Sequence, residues 1–407
     1  MSNIEPGAVF RALEGRPSGA RAALGLGACV LAGIIAFAAA LMGGMALRAW
    51  QAFLVNLVYW TGITCGAVMF SAVLVITKAN WGRSLKRLAE APVFFLPVAF
   101  LLFWLLYFGR DLLFPWVHEP LPEKAAWLNF GFMYFRQGGI FLLLSAAALG
   151  MVYSGVRGDR RMLAHHRADE RTEPDRRGQK IQMIYANIFG ICFGVLLSLI
   201  AFDLIMSLEP HWHSTLFGAY FFIGSFFTGI AGLIIMAFIA KRWLGLADFI
   251  RPLHLHNLGK LLLGFCLLTA DFFYTQFFIT WYGNLPEETR FVLERVRQLP
   301  WKPVAYLVLA ACFVLPFVIL LSRRVKFKHG FMVGLCILIL IGMWLERFIL
   351  IAPSLWKAHQ LPLGPLEALI TAGFFGLMGL CILLFVKNFP LLPVSDPLFW
   401  EGLNRKH

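Results

Sequence analysis

Apolar residues in this chain do not alternate with polar ones; they continue in long blocks separated by short polar stretches. Ten blocks stand out, at roughly 21–47, 50–77, 91–108, 128–153, 181–206, 215–240, 255–281, 302–322, 329–352 and 364–387, bounded by charges, Pro or aromatic residues. A helix crosses the hydrocarbon core of a bilayer with about 20 apolar residues, whereas a barrel strand needs only about 10 and alternates. The pattern therefore predicts an all-α fold, a polytopic transmembrane helical bundle with about ten spans. Composition supports it: 59% of the 407 residues are hydrophobic and 14% charged, with a mean hydropathy of +0.73. A soluble domain carries about a quarter charged residues, so an ordinary globular protein, a disordered chain and a disulfide scaffold are excluded.

The expected organisation is an N-terminal tail (1–20), a ten-helix membrane domain (21–387) with its longest hydrophilic loop at 154–180, and a C-terminal tail (388–407). The first apolar block is too long for a signal-peptide core and reads as a retained helix. Of the 36 Lys and Arg residues, 25 fall on the side of the termini, eight on the opposite side, and Arg136, Lys260 and Arg347 within blocks. Basic residues collect on the cytoplasmic side, so both termini are expected there. The same distribution, spread over every loop on one side, accounts for the net charge of +14 without a nucleic-acid partner. Trp50, Trp116, Trp127, Trp212, Trp281, Trp301 and Trp356 lie near the opposite ends of the blocks, where an interfacial aromatic belt is expected.

The seven cysteines all fall inside blocks, and no two are closer than 24 residues, which leaves no iron–sulfur or c-haem motif. The ten histidines lie in loops or at block ends, so axial ligands for a transmembrane haem are missing. His211 and His213 lack a third metal ligand nearby in sequence, and capping is the simpler reading. No P-loop or dinucleotide fingerprint is present. The expectation is a chain that binds no metal or redox cofactor itself and carries no soluble catalytic site.

Ionisable groups in the membrane are costly and usually pair or line a pathway. Here they are Arg136, Asp203, Lys260, Asp271, Glu346 and Arg347. At about 100° per residue, His256, Lys260, Asp271 and Tyr274 share one face of the block at 255–281, and Asp271 stands about 22 Å beyond His256 along the axis. This polar stripe suits a proton relay, although the apolar gap between Lys260 and Asp271 needs water or another helix. Arg136, Asp203, Glu346 and Arg347 gather in the other half of the membrane, where they can pair structurally, load and release protons, or line a site for a hydroquinone.

The stretches AspLeuIleMetSerLeuGluProHisTrpHisSerThrLeuPheGlyAlaTyrPhePhe (203–222), LeuHisAsnLeuGlyLys (255–260) and PhePheIleThrTrpTyrGlyAsnLeuProGluGluThr (277–289) resemble the NrfD/PsrC-like integral membrane subunits, most of all the ActF type of alternative complex III, the bacterial quinol:cytochrome c oxidoreductase. The resemblance implies a subunit of a quinol-oxidising electron-transfer complex in the bacterial inner membrane. It further implies partner subunits that hold haem c and iron–sulfur clusters, a homologous NrfD-like partner, a transmembrane proton pathway, and a possible quinone or quinol site. By motif position it carries the proton-transfer role onto Asp203 and Asp271, and less directly onto Glu346 and His256; Lys260 and Tyr274 join them from the stripe, with Arg136 and Arg347 as charge-pairing or quinone-site candidates. A stand-alone proton- or ion-coupled secondary transporter is the alternative, weakened by the lack of a matched pair of broken helices.

Overall fold

The computed structural model describes residues 9, 19–167 and 176–404. Most of the expected N-terminal tail, the centre of the 154–180 loop and the last three residues lie outside that set. Ten helices long and apolar enough to cross a bilayer are present: α1 (Ala20–Met42), α2 (Ala46–Ile76), α3 (Arg83–Leu113), α4 (Phe130–Arg167), α5 (Arg176–Leu204), α6 (Phe217–Trp243), α7 (Pro252–Gly283), α9 (Trp301–Leu321), α10 (His329–Leu355) and α11 (Pro365–Asn388). Two shorter helices, α8 (Pro286–Val296) and α12 (Pro397–Asn404), connect or end the chain. No strand occurs among the described residues. The bundle is a multi-pass membrane fold whose ten crossings bring both chain ends to one side.

Local sequence explains the irregular helices. Proline removes one backbone donor and clashes with the preceding turn, so α3 breaks into a 3₁₀ turn around Pro92; a second 3₁₀ turn lies at Leu106–Gly109. A π-turn at Ala310–Val314 precedes Pro316 in α9.

Close packing rests on small residues. α2 is buried along nearly its whole length and crosses α6 where Gly66 meets the Ser225 backbone and Gly229 meets the backbone of Gly66. A side chain at either glycine would overlap backbone rather than a movable side chain. α1 and α11 cross in the same way, a Cβ built on Gly33 lying 2.7 Å from the Gly373 Cα. Between apolar helices in lipid, such backbone approach supplies the van der Waals attraction that a hydrophobic effect cannot.

At the end carrying the termini, most of the basic residues between the second and third apolar blocks are folded in. Arg83, Lys86, Arg87 and Glu90 are all buried. Arg87 pairs with Glu90 and Asp159, Glu90 accepts from Ser71 Oγ at 2.6 Å, and Asp159 accepts from the Ser395 amide at 2.9 Å and its hydroxyl at 2.6 Å. Asp396 accepts from Arg83 at 2.7 Å and Lys86 at 3.2 Å. Three cations with three carboxylates stitch α2, α3 and α4 to the segment before α12, so the C-terminal segment folds back onto the bundle. The tryptophans differ from expectation too: Trp50, Trp116, Trp212 and Trp301 are buried, and of the seven only Trp127 and Trp281 are well exposed. Their rings have helix partners to pack against, as Trp50 does with Phe37 and Phe53, and burial there excludes more apolar area than an interface would.

Two outcomes follow from these contacts. Gly66→Ala is expected to cost about 3 kcal/mol through overpacking, read as a drop in the thermal midpoint of the purified protein, while Gly194→Ala, which meets open space, leaves it nearly unchanged. Burial works to raise the Asp396 carboxyl, but Lys86 and Arg83 outweigh it and hold the group below the ordinary carboxylate value. A depressed folded pKa contributes stability that is present above the unfolded value of about 3.9 and lost as pH falls through the folded value. Limited proteolysis should therefore find the C-terminal segment protected at neutral and mildly acid pH and cleaved only at lower pH, and Asp396→Asn should expose it at pH 7.

Candidate functional site

The charges within the membrane sort into two groups with different chemistry. Arg136 on α4 and Asp203 on α5 form a closed pair: Arg136 donates through Nε at 2.9 Å and Nη2 at 2.8 Å, Trp127 Nε1 donates at 2.9 Å, and Gln137 donates to the same carboxylate. A carboxylate offers about four acceptor positions, so Asp203, fully buried, is saturated. The Arg136 guanidinium also stacks 3.8 Å over Trp127 and 4.7 Å over Phe132.

Glu346 and Arg347, adjacent on α10, are less closed. Arg347 Nη1 donates to both Glu346 oxygens at 3.0 and 2.7 Å, and the Tyr220 hydroxyl on α6 bonds the same carboxylate. Arg347 rests 4.2 Å over Phe221. Three hydrogen bonds from two donor groups leave Glu346 one acceptor position, and the residue lines a cavity.

That cavity, of about 600 Å³, lies between α6, α7, α9 and α10 in the half of the membrane away from the termini, beneath α8. Its wall is overwhelmingly apolar, with Glu346 and Tyr220 deep, Asp271 and Tyr274 on α7, and Arg295 in the roof. Asp271 and Tyr274 are exposed, and Asp271 has no hydrogen-bond or ion-pair partner among the described residues.

Two prolines account for how the wall is built. Pro353 near the end of α10 cannot donate to Ile349 O, and Arg295 Nε takes that carbonyl at 3.0 Å. Arg295 adds Leu350 O at 3.1 Å, Ser354 Oγ at 2.8 Å and Phe291 O at 2.9 Å, and its guanidinium lies 3.4 Å over the Phe291 ring. Burial pushes the Arg295 guanidinium down, to about 9, with Glu294 and Glu209 acting against it; guanidinium resists deprotonation, and the carbonyls at a helix C-terminus stabilise the cation. Phe291 in turn stacks face to face with Trp212 at 3.7 Å. Pro316 likewise cannot donate to Cys312 O, and the Cys266 thiol occupies that carbonyl at 3.5 Å.

The α7 stripe is split. His256 is buried and stacked on Phe327 at 4.5 Å, Lys260 is exposed near the terminal end, and the cavity wall begins at Cys266, so it reaches Asp271 and Tyr274 but neither His256 nor Lys260. The geometry brings Asp271, Tyr274 and Glu346 to one cavity, with Arg347 behind Glu346. Arg136 and Asp203 stand apart from it.

The family model for polysulphide reductase NrfD matches residues 42–357. The chain belongs to the NrfD family. NrfD proteins are membrane subunits that work with other redox subunits in complexes of the polysulphide reductase and quinol oxidoreductase type. No curated protein matches the chain. The NrfD match spans α2 to α10, and the crossing pair α1 and α11 lies outside it.

Three wall residues of this NrfD chain went unrecognised in sequence. Arg295 counts there only as one more basic residue on the far side, and Tyr220 and Phe291 as aromatic residues among many. A signal existed for two of them: Phe291 and Arg295 are four apart on a helix, hence on one face, in a short amphipathic segment ahead of the next apolar block. Partners such as Pro353 and Trp212 are distant in sequence, so nothing local pointed to them.

The Arg136–Asp203 geometry predicts strong coupling. Asp203→Leu leaves a buried guanidinium without its counter-charge, a loss of about 3–5 kcal/mol, whereas adding Arg136→Met to Asp203→Leu recovers most of it. Thermal unfolding of the four proteins of this cycle checks it, and additive losses in the double variant would contradict a closed structural pair.

Proposed function

We propose that this chain is the quinol-facing membrane subunit of an electron-transfer complex of the alternative complex III type, and that it conducts protons away from the quinol. The observation that carries the reading is the cavity with one deep carboxylate and one open carboxylate in an apolar wall. A volume of about 600 Å³ falls in the range of small-molecule sites of about 300–1,000 Å³, which combine apolar lining with a few convergent polar groups. A flat apolar ring with two hydroxyls suits such a site. Oxidation of a quinol gives a quinone, two protons and two electrons; the electrons pass to haem or iron–sulfur centres of partner subunits, and this chain's part is to receive protons.

Glu346 is the acceptor beside the ring in this reading. Its free oxygen position takes the hydroxyl proton, and Arg347 and Tyr220 hold the carboxylate in place. Asp271, at the mouth, takes the proton onward with Tyr274 beside it. Arg295 fixes the roof and sets a positive field over the ring oxygens. Asp203, saturated by Arg136, Gln137 and Trp127, serves as a structural lock. His256 and Lys260 lie towards the terminal side, which the excess of basic residues makes cytoplasmic, and would require a water chain to join the cavity.

The test uses the complex isolated from membranes with this chain in place. A positioned acid or base contributes about 10²–10⁴-fold, so Glu346→Gln is expected to lower quinol turnover at least a hundredfold with assembly and haem content unchanged. Asp271→Asn is expected to lower proton movement per electron more than turnover. Normal turnover in Glu346→Gln, or purification as a lone chain free of redox subunits, would overturn the proposal.

A further inference from the structure

Away from the cavity, at the end of the bundle that carries the termini, a group of cations has no counter-charge. Lys326 lies in the turn between α9 and α10, where its stem packs on Gly259 of α7; a Cβ built on that glycine would meet the Lys326 stem at 3.1–3.4 Å. The Lys326 residue is 7% exposed, yet its ammonium is not sealed from the surface and has no hydrogen-bond or ion-pair partner among the described residues. Lys260, one residue beyond Gly259 on α7, is exposed and also without a partner. Arg323 stands at the start of the same turn, exposed and unpaired among the described residues. The ring of His256, four residues before Lys260, closes the inner side by stacking on Phe327 at 4.5 Å and interacts with all three cations; its Nδ1 is buried and makes no hydrogen bond. Burial, and then the Lys260 charge, draw the Lys326 ammonium below its ordinary value.

Like charges held together by the backbone repel, and among the described residues no carboxylate pairs with them. We propose that Lys260, Lys326 and Arg323 form a site for the phosphate of an anionic lipid headgroup. Depth favours a lipid. Lys260 lies eight residues into α7, about 12 Å along its axis, and the 23 residues that follow it span about 35 Å, roughly the hydrocarbon thickness, which sets Lys260 near the headgroup level. Below the cations, Val318 and Leu321 of α9 and Phe331 of α10 are exposed apolar residues on which acyl chains can lie. A lipid provides phosphate and chains in one molecule, and basic pockets between membrane helices are suited to such headgroups.

The full-length protein, purified in mild detergent and stripped of endogenous lipid, is to be titrated with phosphatidylglycerol, phosphatidylcholine and inorganic phosphate, with bound lipid counted by native mass spectrometry. Phosphatidylglycerol is expected to bind in preference to phosphatidylcholine, about thirtyfold more weakly in Lys260→Gln/Lys326→Gln, and undiminished in Lys260→Arg/Lys326→Arg. Lys302→Gln, which removes an exposed cation at the other end, should change nothing. Equal binding of the two lipids by the unaltered protein, which needs no variant to fold, would overturn the proposal, as would unchanged binding in the double Gln protein. Displacement of phosphatidylglycerol by millimolar inorganic phosphate would assign the site to free phosphate and overturn the lipid.

Discussion

A backbone carbonyl freed by proline inside a bilayer must find another donor, because no water is there to supply one. The cavity of this NrfD protein is organised around two such carbonyls, Ile349 O, freed by Pro353, and Cys312 O, freed by Pro316. The first is answered by the Arg295 guanidinium, which α8 carries to the end of α10. That places Phe291 under the guanidinium and against Trp212, which fixes the 203–222 stretch to the same roof. The cost of one missing N–H is thus translated into the shape of a chamber, and the weaker thiol donor at the second carbonyl leaves the α9 wall free of any further charge.

The same requirement divides the carboxylates by their surroundings. Among the described residues Asp203 accepts four hydrogen bonds, Glu346 three, and Asp271 none. A carboxylate with every acceptor position filled has no oxygen position left to offer a ligand. One with a position in reserve, at the edge of an apolar space, can accept a proton without losing its place. Position in the membrane alone does not separate these cases, since Asp203 and Glu346 stand in the same half.

Much of the architecture was written in the sequence. Block length set the number of helices, and the observed ends differ from the expected ones by up to 14 residues where polar residues extend a helix beyond the apolar stretch, as for α3, which starts at Arg83 rather than near 91, and α4, which ends at Arg167 rather than near 153. Pairing was not legible. Arg136 meets Asp203 across 67 positions and Arg87 meets Asp159 across 72, and no local pattern encodes a partner so distant. The polar stripe on α7 rested on angular placement alone and was silent about neighbours: Phe327 covers one end and the cavity begins only at Cys266. The tryptophans misled for a related reason, since a position near a helix end says nothing about whether another helix covers it.

The crossing of α1 with α11 has a consequence for how the chain is made. Gly33 and Gly373 press backbone against backbone, yet 340 positions separate them. During synthesis α1 leaves the insertion machinery first, and the helix it fits is the last to arrive. Until then α1 must wait in the lipid beside a growing bundle, its glycine face open to any neighbour. The final helix therefore acts as a clasp: its arrival joins the first segment to the tenth, and a ribosome that stops early releases a bundle whose ends were never fastened.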